Sequence, residues 1–138
     1  MNQNSDFKIR FLPLICYEMI YTGNLSKKKD FNFIFNISED GWFGDSIGPK
    51  QHFTHSIFRA IETGKYIMRS SNNGMAAIIN PLGQVEKKLD YGVSGYIDFN
   101  KKRDFKTTTF STYGNKIFFV IILLYIFLTF SFNRMKNE

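Results

Sequence analysis

The sequence KIRFLPLICYE occupies residues 8–18 and contains the features that decide both the fold and the site. Residues 8–15 are largely apolar, which predicts a buried strand that ends just before Cys16. A side chain at a strand-to-turn transition is exposed, and backbone N–H groups there can meet a developing oxyanion. Cys16 is the only cysteine of the chain. Its position makes it a candidate nucleophile.

A nucleophilic thiol needs a base, because a free cysteine is only a few per cent thiolate at neutral pH. Glu18 is the nearby candidate, but it can reach Cys16 only if the backbone turns between the two residues. A single cysteine forms no internal disulfide, so cysteine usage does not indicate whether the chain lies in a reducing or an oxidising compartment. From these residues alone, an inert buried thiol explains Cys16 better than a nucleophile does.

The remaining pattern predicts an α/β fold. Alternating apolar residues predict a second strand at 31–37, and apolar residues at helical spacing between Pro49 and Gly64 predict an amphipathic helix of about four turns. Further strands are expected at 66–69, 75–79, 84–89 and 93–99, with a turn at 80–83 and an extended link at 101–115. His52 and His55 have no acidic or cysteine partner placed to complete a metal site, so they are expected to be ordinary helix residues.

Residues 117–132 read IFFVIILLYIFLTFSF and contain no charge. A helix of this length spans about 24 Å, slightly less than a hydrocarbon core of about 30 Å. Lys116 and Tyr113 can cover the difference at the membrane interface. The alternative, an amphipathic core helix, lacks a polar face here. The stretch therefore predicts a transmembrane helix.

The positive charges do not decide the orientation of that helix. Five lie shortly before it, which by the positive-inside rule would place the domain in the cytoplasm, but the rule weakens for long domains. The net charge of +6 falls in short clusters that are typical of solvated turns, although such clusters can also meet anionic lipid headgroups. No motif indicates nucleic-acid binding, a metal or another cofactor.

Five segments then fall in one order at compact spacing: PLICYE at 13–18, NISEDGWFGDS at 36–46, GPKQH at 48–52, RAIE at 59–62 and RSSNNG at 69–74. Together they closely resemble the nitrilase, or carbon–nitrogen hydrolase, domain of the apolipoprotein N-acyltransferases. The second and fifth segments distinguish that family from soluble nitrilases. The resemblance covers residues 8–132. It implies the C-terminal portion of a nitrilase-type α-β-β-α sandwich, followed by one transmembrane α-helix.

The resemblance also implies boundaries and roles. It divides the chain into a partial nitrilase domain at 1–114, a transmembrane helix at 115–133 and a short polar tail at 134–138. Cys16 becomes the nucleophile, with Tyr17 and Glu18 supporting it. Trp42 and Phe43 are expected to contact substrate, with loop packing as the alternative.

Arg69, Asn72 and Asn73 are expected to pin active-site loops, although a turn-forming role for Asn73-Gly74 is equally open. In the family, the cysteine takes an acyl chain from a membrane phospholipid as a thioester. The α-amine of the diacylglyceryl-cysteine on an apolipoprotein then receives that chain.

One departure from the family pattern concerns the catalytic triad. Its Glu and Lys belong to an earlier half of the nitrilase domain, so the chain is expected to be a fragment, inactive alone, with a possible partner in the missing N-terminal half. By analogy, the domain faces the periplasm at a bacterial inner membrane. Two alternatives remain, namely a carbon–nitrogen hydrolase of a small amide or nitrile and a non-catalytic membrane fragment.

Overall fold

The computed structural model describes residues 10–23, 25–26, 30–100 and 105–136. The strands are β1 (Phe11–Ile15), β2 (Phe33–Glu39), β3 (Tyr66–Asn72), β4 (Ala76–Ile79) and β5 (Val85–Leu89). The α-helices are α1 (Gly48–Thr63), α2 (Thr109–Tyr113) and α3 (Lys116–Lys136). Two short 3₁₀ helices, Cys16–Ile20 and Asp40–Phe43, follow β1 and β2 and are named the Cys16 turn and the Trp42 turn.

The five strands form one sheet in the order β1-β2-β3-β4-β5. β1, β2 and β3 are parallel, whereas β4 is antiparallel to both β3 and β5. Parallel neighbours require a crossover connection, and α1 supplies it between β2 and β3. The predicted α/β class is therefore confirmed. Because β1, β2 and β3 are parallel, their carboxyl ends lie at the same end of the sheet, where both 3₁₀ turns begin.

The main core lies between the sheet and α1. Strand alternation directs Ile34 of β2 and Ile67 of β3 to this face, where they meet Phe53 and Ala60 of α1. All four side chains are buried. The same alternation places later residues of β2 and β3 on this face, so polar side chains near the strand ends also lie under α1.

The predicted strand at 93–99 is wrong, because residues 93–100 have no regular secondary structure. Ile97 and Phe99 pack instead on the second face of the sheet. The Phe99 ring lies edge-on to Phe33 at 5.3 Å and to Tyr66 at 5.2 Å between ring centroids. The apolar alternation of this segment thus reflects contact with a sheet face and not pairing with β5.

The expected extended link at 101–115 is also wrong in its second half. Residues 101–104, like residues 8–9 of the first predicted strand, lie outside the described part of the chain. Residues Thr109–Tyr113 form α2, because the Thr108 hydroxyl accepts the N–H of Ser111 at 3.0 Å and caps the helix.

Helix α3 has 21 residues and a mean hydropathy of 2.1 over its most apolar stretch, none of which is buried against the rest of the described chain. Its length of about 31 Å matches a hydrocarbon core of about 30 Å. By length and composition, α3 can cross a membrane. A core helix would be covered by the domain, and α3 is not.

The start of α3 touches the segment that follows the Cys16 turn. Gly114, between α2 and α3, has φ +55°, and a Cβ added to it would lie 2.4 Å from the carbonyl oxygen of Gly23. A Cβ added to Gly23 would in turn lie 2.9 Å from the Asn115 side-chain oxygen. Only glycine therefore fits at the joint between the domain and its apolar helix.

The substitution Gly114→Ala should destabilise the chain more than the substitution Gly44→Ala does. Both glycines have φ +55° with strongly negative ψ, a conformation that costs other residues about 1–3 kcal/mol, but nothing lies within 4 Å of an added Cβ at Gly44. The steric clash at Gly114 should add about 1–3 kcal/mol. Thermal unfolding in detergent measures both variants, and equal losses would contradict the contact.

Candidate active site

Cys16 adopts a backbone conformation that is uncommon for its residue type. Its φ is +47°, in the left-handed region, at the point where β1 ends and the Cys16 turn begins. Such a conformation costs about 1–3 kcal/mol and persists only when surrounding contacts determine it. Met19, fully buried, anchors the turn in the core. Cys16 therefore stands on a tight turn beside the ends of the parallel strands.

Glu18 folds back over this turn. Its Oε2 accepts the backbone N–H of Ile15 at 2.7 Å, so the backbone does turn between Cys16 and Glu18. A carboxylate engaged in this way stabilises the turn from its N-terminal side.

The thiol of Cys16 is half-buried and faces β2. Its Sγ lies 3.7 Å from the Oγ of Ser38, whose single hydroxyl hydrogen is donated to Asp40 at 2.7 Å. Next to it, the side-chain amide of Asn36 donates to the carbonyl of Leu14 at 3.0 Å. These contacts join the end of β1 to the end of β2, and they show that Cys16 is neither an isolated core thiol nor fully exposed.

Asp40, the first residue after β2, is the centre of a buried polar network. No part of it is exposed to solvent. Its carboxylate accepts from Arg69 Nη2 at 2.6 and 2.9 Å, from Ser38 Oγ at 2.7 Å and contacts His52 Nδ1 at 2.9 Å. Three separate elements, β2, α1 and β3, thus supply partners to one carboxylate.

These partners keep Asp40 ionised. Burial raises the pKa of the Asp40 carboxyl, but the hydrogen bonds from His52, Ser38 and Arg69 and the charge of Arg69 outweigh it. The net result is a pKa well below the usual range of an aspartate. A buried charge is tolerated here because each carboxylate oxygen has at least one donor.

His52 connects this network to Cys16. Its Nε2 lies 3.1 Å from the carbonyl oxygen of Cys16, and a carbonyl only accepts, so Nε2 is the donor. The imidazole is 2 % exposed and packs against the rings of Tyr17 at 5.7 Å and Phe43 at 5.6 Å, which also contact each other. The expectation that His52 is an ordinary helix residue is therefore wrong.

A sequence signal for His52 did exist. The buried polar residues of α1 recur at intervals of four and three, at His52, Ser56, Arg59 and Thr63, beside the apolar stripe. His55 lies outside that stripe and is half-buried. Burial lowers its pKa, with smaller contributions from the charges of Arg59 and His52.

Arg59 is a second buried residue that sequence reasoning missed. Its Nη1 donates to the carbonyls of Ile20 at 2.8 Å and Tyr21 at 2.6 Å, and its Nη2 pairs with Glu62 at 2.8 Å. Burial lowers the pKa of the guanidinium, and Glu62 opposes that change. Arg59 thus fixes the end of the Cys16 turn, as His52 fixes its beginning.

Arg69 and Asn72 both pin loops, as their positions in the RSSNNG segment predict. Arg69 donates through Nε to the carbonyl of Met75 at 3.2 Å as well as binding Asp40. The Asn72 amide donates to the carboxylate of Glu39. Asn73 has φ +50° and forms the turn with Gly74.

This turn packs directly on Asp40. A Cβ added to Gly74 would lie 2.2 Å from Asp40 Oδ2, so only glycine allows the approach.

Trp42 and Phe43 lie side by side in the Trp42 turn but differ in exposure. Trp42 is 87 % exposed, so its indole is free to meet another molecule. Phe43 is half-buried, packs on His52, and leaves no room for a Cβ at Gly48. The contacts of Phe43 therefore fit the alternative expectation, in which the ring packs within the loop and does not contact substrate. Among the residues that the structure describes, no group of His, Cys, Asp or Glu is arranged to hold a metal ion.

Comparison with known proteins agrees with this arrangement. The sequence profile of the carbon-nitrogen hydrolase family matches residues 5–99. The chain therefore belongs to the carbon-nitrogen hydrolase family, and the Cys16 turn, the Asp40 network and the Trp42 turn lie within the matched region.

Comparison with individual relatives identifies a narrower group of similar proteins within this family. The apolipoprotein N-acyltransferase of Agrobacterium fabrum is 39 % identical over 132 residues, which cover 92 % of this chain and 25 % of that protein. Those of Wigglesworthia glossinidia brevipalpis and Rickettsia bellii are each 43 % identical, covering 91 % and 96 % of this chain and 26 % of each relative. The chain thus spans about a quarter of the length of these relatives. The predicted resemblance to apolipoprotein N-acyltransferases is confirmed.

Replacing Asp40→Asn should destabilise the chain strongly at neutral pH, by about 3–5 kcal/mol, because Arg69 loses its buried counter-charge. The depressed pKa of Asp40 means that its contribution is complete above the unfolded-state value of about 3.9 and is lost as the pH falls through the folded-state value. The difference between the two proteins should therefore shrink in acid. Denaturant unfolding followed by circular dichroism, from pH 7 downward, measures it.

The matched control is Asp90→Asn, which removes a carboxylate from an exposed pair with Lys88 and should change stability little. A stability difference between Asp40→Asn and the parent that stays constant into acid would contradict the ionised state of Asp40.

Proposed function

We propose that the chain is part of a membrane-bound apolipoprotein N-acyltransferase in which Cys16 carries the acyl group. The observation that supports this role is the strained φ of +47° at Cys16, held beside the ends of three parallel strands. The names of the relatives supply the reaction class. Strain at a reactive residue is typical of functional sites.

The proposed reaction has two steps. The thiol of Cys16 loses its proton to the base, and the thiolate attacks the ester carbonyl of a phospholipid. The S–C bond forms, the C–O bond breaks, and the departing alkoxide takes up that proton and leaves as the lysophospholipid alcohol. The α-amine of the diacylglyceryl-cysteine on an apolipoprotein then attacks the thioester. The N–C bond forms, the C–S bond breaks, and the amine proton returns to the thiolate. Each step is nucleophilic acyl substitution, and the acyl chain stays covalently bound between them.

The family pattern assigns the proton acceptor and the oxyanion-stabilising cation to a Glu and a Lys outside these 138 residues. Tyr17 and Glu18 would support the site by shaping the Cys16 turn, as the bond from Ile15 N–H to Glu18 suggests. We therefore expect the 138-residue chain to be inactive alone and to need the remaining part of the nitrilase domain as its partner.

The apolar helix favours acyl transfer from a lipid over hydrolysis of a small amide. A soluble substrate needs no membrane helix, whereas a phospholipid donor lies in the bilayer that α3 is long enough to cross. The exposed indole of Trp42 would contact the acyl chain or the acceptor. We place the domain on the periplasmic side of a bacterial inner membrane, as the family resemblance implies.

The nucleophile is tested in a chimaera in which this chain replaces the matched C-terminal quarter of the Rickettsia bellii relative. After incubation with phospholipid, mass spectrometry should find an acyl adduct on the peptide that contains Cys16. The substitution Cys16→Ser should abolish the thioester and lower transfer to a lipoprotein peptide by at least 100-fold. A clean thiol in the parent together with full activity in Cys16→Ser would overturn the mechanism.

The role of Trp42 is tested in the same chimaera. The substitution Trp42→Ala should raise KM for the phospholipid or the lipoprotein peptide by about 10- to 100-fold, since burying an aromatic side chain against substrate contributes about 1.5–3 kcal/mol. Tyr96→Ala is the matched control, because Tyr96 is 85 % exposed but lies with Phe35, Ile97 and Phe99 on the second face of the sheet. Equal effects of the two substitutions would show that Trp42 contacts no substrate.

A further inference from the structure

The strained backbone of Cys16 requires contacts that hold it, and the structure supplies one on each side. Before Cys16, the N–H of Ile15 is bound by Glu18. After it, the carbonyl of Cys16 itself is bound by His52 Nε2 at 3.1 Å. Glu18 is exposed, so its bond competes with water. His52 is buried, so its bond is the better protected of the two.

The orientation of His52 is itself fixed. Its Nδ1 lies 2.9 Å from Asp40 Oδ1, and Arg69 holds the Asp40 carboxylate through two contacts. The rings of Tyr17 and Phe43 cover the imidazole. The two ring nitrogens therefore serve different partners: Nδ1 faces the network, and Nε2 faces the nucleophile turn.

The bond to the carbonyl determines more than one atom. The peptide between Cys16 and Tyr17 is trans, as are all peptides in the described residues, so its carbonyl and its N–H point in opposite directions. Fixing the carbonyl on His52 fixes the plane of that peptide, the direction of the Tyr17 N–H and the position of the Cys16 Cα. Misplacing a reacting group by about 1 Å can lower a rate by about 100-fold.

We propose that His52 is a positioning residue that holds the Cys16–Tyr17 peptide in its reactive orientation through Nε2. This inference rests on the proposed function, in which Cys16 is the nucleophile. The competing explanation is that His52 only satisfies Asp40 through Nδ1 and so contributes to stability alone. The two explanations differ in which nitrogen matters.

Two amide substitutions separate the nitrogens. In His52→Gln the side-chain amide reaches the position of Nε2 and can still donate to the Cys16 carbonyl, whereas in His52→Asn the shorter amide reaches only the position of Nδ1. The chimaera with the Rickettsia bellii relative carries each variant. The single-turnover rate of Cys16 acylation by phospholipid should fall 10- to 100-fold in His52→Asn. In His52→Gln it should stay within threefold of the parent rate, and KM for phospholipid should be unchanged in both variants. His55→Gln, on the same helix, should match the parent.

A second measurement does not depend on acyl transfer. Hydrogen exchange of the peptide covering Cys16–Ile20, read by mass spectrometry, should become at least tenfold faster in His52→Asn and stay near the parent rate in His52→Gln. The reverse order of the two variants, in either measurement, would overturn the positioning role and favour the stability explanation. If the parent forms no acyl adduct but exchange follows the expected order, the proposed function fails while the positioning of Cys16 by His52 stands.

Discussion

A carboxylate without solvent exposure has to be matched by donors from its surroundings, and at Asp40 those donors come from three elements of the chain. Ser38 precedes it on β2, His52 reaches it from α1, and Arg69 reaches it from β3. Removing one partner of such a buried pair leaves an uncompensated charge, which is far more costly than losing an exposed pair. The relative placement of β2, α1 and β3 is therefore constrained at this one point.

The strand register fits the same constraint. Asn36 and Arg69 are register partners in the β2–β3 ladder, and Arg69 Nη1 donates to Asn36 Oδ1. A shift of one residue would turn Arg69 to the other face of the sheet, away from Asp40. Gly74 closes the site from the far side, where its backbone approaches the carboxylate too closely for any side chain. Charge, register and close packing thus specify one arrangement.

Local patterns in the sequence were sufficient to predict the parts of the fold that depend on neighbouring residues. The apolar run before Cys16 and the helical spacing after Pro49 are of this kind, since hydrophobic period and turn chemistry act over a few residues. The segment at 93–99 shows the limit, because alternating residues fit a paired strand and a segment lying on a sheet face equally well.

The polar network could not be predicted in the same way. His52 and Arg69 lie 12 and 29 residues from Asp40, and they meet it only through the crossover and the strand register. The spacing of His52 and His55 in the sequence bears only on a metal site, and it gives no indication of the buried role of His52. The available signal was the spacing of the polar residues along α1. That spacing can be interpreted only once the helix and its buried face are known.

Helix α1 joins the site to the base of the apolar helix. Near its N-terminus His52 binds the Cys16 carbonyl, and near its C-terminus Glu62 accepts from Thr22 at 2.6 Å through its carboxylate and from Thr108 through its backbone carbonyl. Ten helical residues separate the two ends, a distance of about 15 Å.

Thr22 follows the Cys16 turn, and Thr108 caps α2. Both chain segments that lead toward Gly114 are therefore hydrogen-bonded to Glu62. The distance of Cys16 from the start of α3 is therefore set by a rigid helix and not by a flexible link. The proposed nucleophile, held at a fixed distance from a helix that can cross a membrane, suits an acyl donor whose ester group lies at a defined depth, as in a bilayer. A freely diffusing substrate imposes no such requirement.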